Sequence, residues 1–81
     1  MPPISVQHLT TKLEELKAEM DAGNLRHGEY DQRLARLIGE LRDRKVQEDR
    51  VVVVATLDGL LEKGTITPAV KTHIVARLGL D

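Results

Sequence analysis

The sequence has no cysteine, no tryptophan and no phenylalanine, and Tyr30 is its single aromatic residue. Without cysteine there can be no disulfide, no thiolate metal site and no cysteine nucleophile. Without aromatics there is no stacking platform for single-stranded nucleic acid. An excess of either charge is also missing, since 12 Lys and Arg stand against 13 Asp and Glu for a net charge of −1. That balance leaves no electrostatic footprint for nucleic acid or for an anionic membrane, and neither is expected as a partner. Long apolar runs are absent too: the longest, Val51 to Ala55, falls far short of the ~20 residues of a membrane span. Met1-Pro2-Pro3-Ile4 has neither the basic nor the apolar region of a secretory signal, so the cytoplasm is the expected location. What the chain does have is 12 Leu, 8 Val and 4 Ile among 81 residues, well above the aliphatic content of disordered chains. It folds, as one domain over residues 1–81. A chain this small rarely gains more than ~3–5 kcal/mol from its own core, and self-association is expected.

Apolar spacing predicts an all-α protein. Val6, Leu9, Leu13, Leu16 and Met20 recur at intervals of three and four, the a/d seam of a heptad that wants a partner helix. Pro2 and Pro3 suit an extended lead-in. Ser5 is a candidate N-cap, while Thr11 with Glu14 forms a capping box for a later start. Gly23-Asn24 supplies the stop. A second helix is expected from about Arg26, with Tyr30, Leu34, Leu37 and Leu41 as its seam and Ala35 and Ile38 widening the stripe. Together these make an antiparallel hairpin over residues 5–41.

Residues 42–50 form a charged connector, read as a solvated helix face or a charged loop because acids alternate with bases. No glycine or proline lies between Gly39 and Gly59, so the second helix either runs on as one long central helix or hinges here. Val51-Val52-Val53-Val54 has the composition of a strand, but no second such run exists to pair with it, and Leu57, Leu60 and Leu61 continue at helical spacing. It reads as helix. Gly64 ends it, and Thr67-Pro68 is an N-cap followed by proline at the first position. Val70, Ile74 and Leu78, with Val75, line the last helix of a second hairpin over 51–79. No cap is evident at Leu80-Asp81, which suits a chain that continues. Sliding the chain by 41 positions sets Leu16 on Leu57, Met20 on Leu61, Gly23 on Gly64, Leu25 on Ile66 and Leu34 on Val75. Neither hairpin can bury its stripe alone.

The run from Leu57-Asp58-Gly59-Leu60-Leu61-Glu62-Lys63-Gly64 to Val70-Lys71 and His73-Ile74-Val75-Ala76 resembles the LisH-type dimerisation motif of the FOP and TONNEAU class of centrosomal and basal-body proteins. A leucine-rich helix closes on Glu-Lys-Gly, and an aliphatic-Lys-x-basic-Ile pattern follows. The resemblance, over residues 51–78, implies a homodimer whose helices intertwine into a four-helix bundle. It also implies a scaffold or targeting role at the cytoskeleton, centrosome or basal body. Leu13, Leu16-Lys17, Ala22-Gly23-Asn24-Leu25, Glu29-Tyr30 and Leu34 to Leu37 are similar to the bihelical SHOCT module of bacterial proteins, over residues 13–40. That similarity implies an oligomerisation piece.

Chemistry finds little material. His8, His27 and His73 are isolated, and His27 with Asp31 lacks the third ligand a metal site needs. Glu14, Glu15, Glu19 and Asp21 read as a solvated face, and no phosphate-binding glycine loop or nucleophile motif occurs. No catalytic residue, metal or cofactor is expected. The function expected is non-enzymatic: a module that pairs with itself, as a homodimer or higher oligomer, and with an unidentified protein. Its interface is expected at Val54, Leu57, Leu61, Ile66, Val70, Ile74 and Leu78, and its helix seam at Leu9, Leu13, Leu16, Met20, Tyr30, Leu34, Leu37 and Leu41. The alternative is a small helix-turn-helix regulator over residues 57–78, whose second helix offers only Lys71, His73 and Arg77 to a duplex.

Overall fold

The computed structural model describes residues 3–80, and among them the chain is helical: α1 (Val6–Asp21), α2 (Glu29–Arg44), α3 (Arg50–Lys63) and α4 (Pro68–Leu78). The expectations resting on Met1, Pro2 and Asp81 lie outside the described residues. Each helix start has a local cause. Ser5 stays extended, and its hydroxyl accepts from the His8 amide at 3.2 Å. Asp49 serves α3 in the same way through the Val52 amide at 3.2 Å, and Thr67 serves α4 through the Val70 amide at 3.2 Å with Pro68 at the first position. α2 starts later than Arg26 because Gly28 takes φ 82 in front of it. There the Glu29 carboxylate turns back to accept from the Arg26 amide at 2.9 Å, a bond that holds its carboxyl below the usual range.

The stops at Gly23 and Gly64 fall in the left-handed region, at φ 76 and 81, where a Cβ is disfavoured. α4 has a cap of the same kind after all: Gly79 at φ 69 ends it, one residue ahead of the Leu80-Asp81 pair. The four valines lie in α3, as the missing partner strand required.

α1 lies against α2 and α3, and α4 lies against the same two. The four helices therefore close a ring in which α1 is diagonal to α4 and α2 to α3. The core takes Leu9, Leu13 and Leu16 from α1, Leu34, Leu37, Ile38 and Leu41 from α2, Val53, Leu57 and Leu60 from α3, and Ile74 from α4, with Ile66 from the second turn. Six of the eight seam positions are thus buried. Met20, in the last turn of α1, is 44% exposed. Tyr30 is half-buried, and Ala35 faces solvent while Ile38 faces the core.

The bundle is completed within one chain, the second hairpin packing on the first. The equivalence between the halves differs from the 41-residue slide. Ser5 and Asp49 are both caps, and Leu9 and Val53, Leu13 and Leu57, and Leu16 and Leu60 are all buried pairs at a separation of 44. The 41-residue slide matches Met20, which is exposed, to half-buried Leu61. It aligns the glycine turns, whereas the buried faces of α1 and α3 follow the caps.

Helices two and three are separate. Lys45, with φ 65 and ψ 153, breaks the path after α2, a backbone region other residues leave largely to glycine. The break is held from outside by the N-terminal arm. The Ile4 amide donates to the Lys45 carbonyl at 2.8 Å, and the Gln47 amide donates to the Ile4 carbonyl at 2.7 Å, making a parallel bridge to Val46. Ile4 itself is buried in the core, and Glu48 accepts from the Val6 amide at 3.0 Å, adding an anion to the start of α1. The arm is therefore more than the extended lead-in its prolines suggest.

Half-burial of Tyr30 gives a pH dependence. Desolvation, reinforced by the neighbouring Asp31 and opposed by Lys17, raises its phenol above the ordinary value of 10. A group raised on folding contributes stability that is complete below its unfolded pKa and is lost as pH rises through the folded one. Tyrosinate absorbance of the folded chain should have its midpoint above pH 10, and stability should fall from pH 10 upward less steeply in Tyr30→Phe. A midpoint at or below 10 would show that the ring is in water.

Candidate interaction surfaces

The seven positions expected at an interface divide in two. Leu57, Ile66 and Ile74 are buried in the chain's own core, Ile74 with no exposed surface, and no partner reaches them while the bundle is closed. Leu61, Val70 and Leu78 are half-buried and pack against that core, and Val54 is half-buried.

The apolar surface that is open lies elsewhere on α3. Val53, Leu57 and Leu60 point inward, so helical periodicity turns Val51, Ala55, Asp58 and Glu62 outward, with Val52 and Gly59 beside them. Val51 is 76% and Val52 42% exposed, and Ala55 is exposed too. No charged residue occurs between Arg50 and Asp58. Above Gly59 the space is open, with nothing within 4 Å of where a Cβ would stand. The face is thus large at its start and small one and two turns on. Of the four valines only Val54 is expected from sequence at the interface, because four apolar residues in succession do not show by period which of them face out.

The polar surface is stapled across the ring. Lys63 meets Glu14 of α1 at 3.0 Å, Arg33 of α2 pairs with Glu19 of α1, and Lys71 of α4 pairs with Asp58 of α3. Each such exposed pair is worth roughly 0–1 kcal/mol. His8 and Glu40 meet at 3.2 Å between α1 and α2. Among the described residues no group of three His, Asp or Glu could hold a metal ion, and no helix is long and apolar enough to cross a membrane.

Two of the clefts between the helices bear on binding. One, of about 420 Å³ between α1 and α2, is rimmed by Lys12, Glu15, Glu19, Arg33 and Glu40, whose charges pair with one another or with close neighbours, and by Arg36, which has no ion-pair partner among the described residues. The other, of about 450 Å³, lies at the end of the bundle where α2, the connector, the start of α3 and the end of α4 meet. Leu41, Val46, Val53 and Leu78 give it apolar walls, and Arg42, Lys45, Arg50 and Arg77 rim it with Glu48. No protein-family model, curated protein or solved structure matches the chain.

Proposed function

We propose that the chain is a non-enzymatic protein-protein interaction module that pairs with a second copy of itself through the outer face of α3. The observation that carries this is the exposed pair Val51 and Val52 on a helix turn without charge. Contiguous exposed apolar surface on a small domain marks a contact site. A second copy suits the face by shape. In an antiparallel, two-fold pairing centred at Ala55, Val51 of one helix falls opposite Gly59 of the other, large against small in both directions, and Val52 falls opposite Asp58. This contact differs from the intertwined dimer that a LisH-like hairpin implies, since the residues of that seam are engaged inside the chain. A scaffold or targeting role follows as the use to which such pairing is put, with the cytoskeletal setting resting on the resemblance alone.

Light scattering across a concentration series tests the pairing. At tens of micromolar the parent should show twice its 9.0 kDa, and Val51→Glu should show a single copy with an unchanged melt, because a carboxylate in the first turn of a helix is tolerated or favourable. A parent of single-chain mass up to several hundred micromolar, or a Val51→Glu protein that remains paired, would remove the α3 contact.

A further inference from the structure

The cleft at the end of the bundle is distinguished by what its charges lack. Six of the twelve Lys and Arg residues make an ion pair: Lys12, Lys17, Arg33, Arg44, Lys63 and Lys71. Of the other six, Arg42, Lys45, Arg50 and Arg77 all rim this one cleft and have no ion-pair partner among the described residues. They come from three places in the chain: the end of α2 with the connector, the start of α3 and the end of α4. Two of the three acids that alternate with them in the sequence are turned to other work, while Asp43 is exposed. Glu48 accepts from the Val6 amide at 3.0 Å, and Asp49 accepts from the Val52 amide at 3.2 Å. Folding thus draws two of the run's three acids to helix starts and leaves Arg42, Lys45 and Arg50 without an ion-pair partner among the described residues.

Between those bases lie aliphatic walls. Leu41 and Val53 are buried at the back, and Val46, Leu78 and Leu80 are half-buried around them. A concave site with an apolar lining and a few convergent polar groups is the usual form of a small-molecule site, and about 450 Å³ lies in the size range of such sites. Guanidinium groups select phosphate and carboxylate by their forked donors. We infer that this cleft binds an amphipathic anion, a phosphate or carboxylate on a short aliphatic body, with Arg42 and Arg77 gripping the head and Val46, Val53 and Leu78 holding the tail. The site uses none of the exposed valines and does not depend on self-association.

Titration of the labelled protein with octyl phosphate, octanoate, octanol and inorganic phosphate, followed by NMR, tests it. The two octyl anions should shift the resonances of Val46, Val53 and Leu78 saturably, and inorganic phosphate and octanol should each bind at least about tenfold more weakly. The double variant Arg42→Gln/Arg77→Gln should weaken both octyl anions at least about tenfold, with its melt within a few degrees of the parent. Co-sedimentation with phosphatidylcholine vesicles, with and without phosphatidylglycerol, separates the sources of the ligand. Retention on the anionic vesicles that the double variant loses assigns the site to lipid headgroups, and octyl-anion binding without retention assigns it to a free ligand. Absence of saturable shifts with either octyl anion, equal binding by the double variant, or octanol binding as well as the anions would overturn the inference. The bases would then act only as cations at the ends of α2 and α4.

Discussion

Ile74→Asp should leave the chain unfolded at neutral pH and room temperature, whatever its state of association. Ile74 has no exposed surface and is the buried residue that α4 contributes to the core. Removing its aliphatic side chain costs about 2–5 kcal/mol, and an uncompensated charge at such a site costs about 3–5 kcal/mol more. Together, at about 5–10 kcal/mol, they match or exceed the ~3–5 kcal/mol that a core of this size supplies. Far-UV circular dichroism should report loss of helix, and Ile74→Val, which keeps the shape, should cost only about 0.5–1.5 kcal/mol. A helical, cooperatively melting Ile74→Asp protein would mean that α4 does not dock on α2 and α3. Because Ile74 serves the single chain, its loss cannot report on pairing between copies, and Val51 is the residue for that purpose.

The second large effect is expected far from any helix. Ile4→Ala should lower stability by about 2–5 kcal/mol, seen as a lower midpoint of urea unfolding with an unchanged slope. The side chain is buried as deeply as the leucines of α1, and its backbone is tied on both sides to the connector. A control at Glu48→Gln, which keeps an acceptor for the Val6 amide but removes the charge, should cost no more than about 1 kcal/mol. An Ile4→Ala midpoint equal to the parent's would show that the arm lies on the surface and that Lys45 keeps its turn unaided.

Much of the bundle was legible in the chain because its signals are local. Ser5, Gly23, Gly64 and the Thr67-Pro68 pair each set a boundary through bonds that span three or four residues, and the seam from Leu9 to Leu41 follows from period alone. The rest depends on contacts across long separations. Nothing near Lys45 announces a break, since the residue is neither glycine nor proline and the conformation is imposed by Ile4, some forty residues upstream. The pairing of the second hairpin was expected from another copy because its stripe is too wide for one hairpin to cover. It is met largely by the first hairpin, at cap-to-cap register. The basic cleft was hidden for a different reason. In sequence Arg42, Lys45 and Arg50 are diluted by Asp43, Glu48 and Asp49, and only folding shows that two of those acids face backbone amides while Arg77 arrives from α4.

The arm that crosses the connector also governs how the bundle comes apart. The amides of Ile4 and Gln47 are bonded to one another's strand across the whole first hairpin, so neither can be exposed by fraying of a single helix end. Their hydrogens can exchange with solvent only when the arm leaves the connector, which also strips Ile4 from the core and Glu48 from the start of α1. Slowly exchanging amides normally belong to the middles of core helices. In this chain two residues outside any helix should join them, and the N-terminal segment, ordinarily the first to loosen, should be released only with the bundle as a whole.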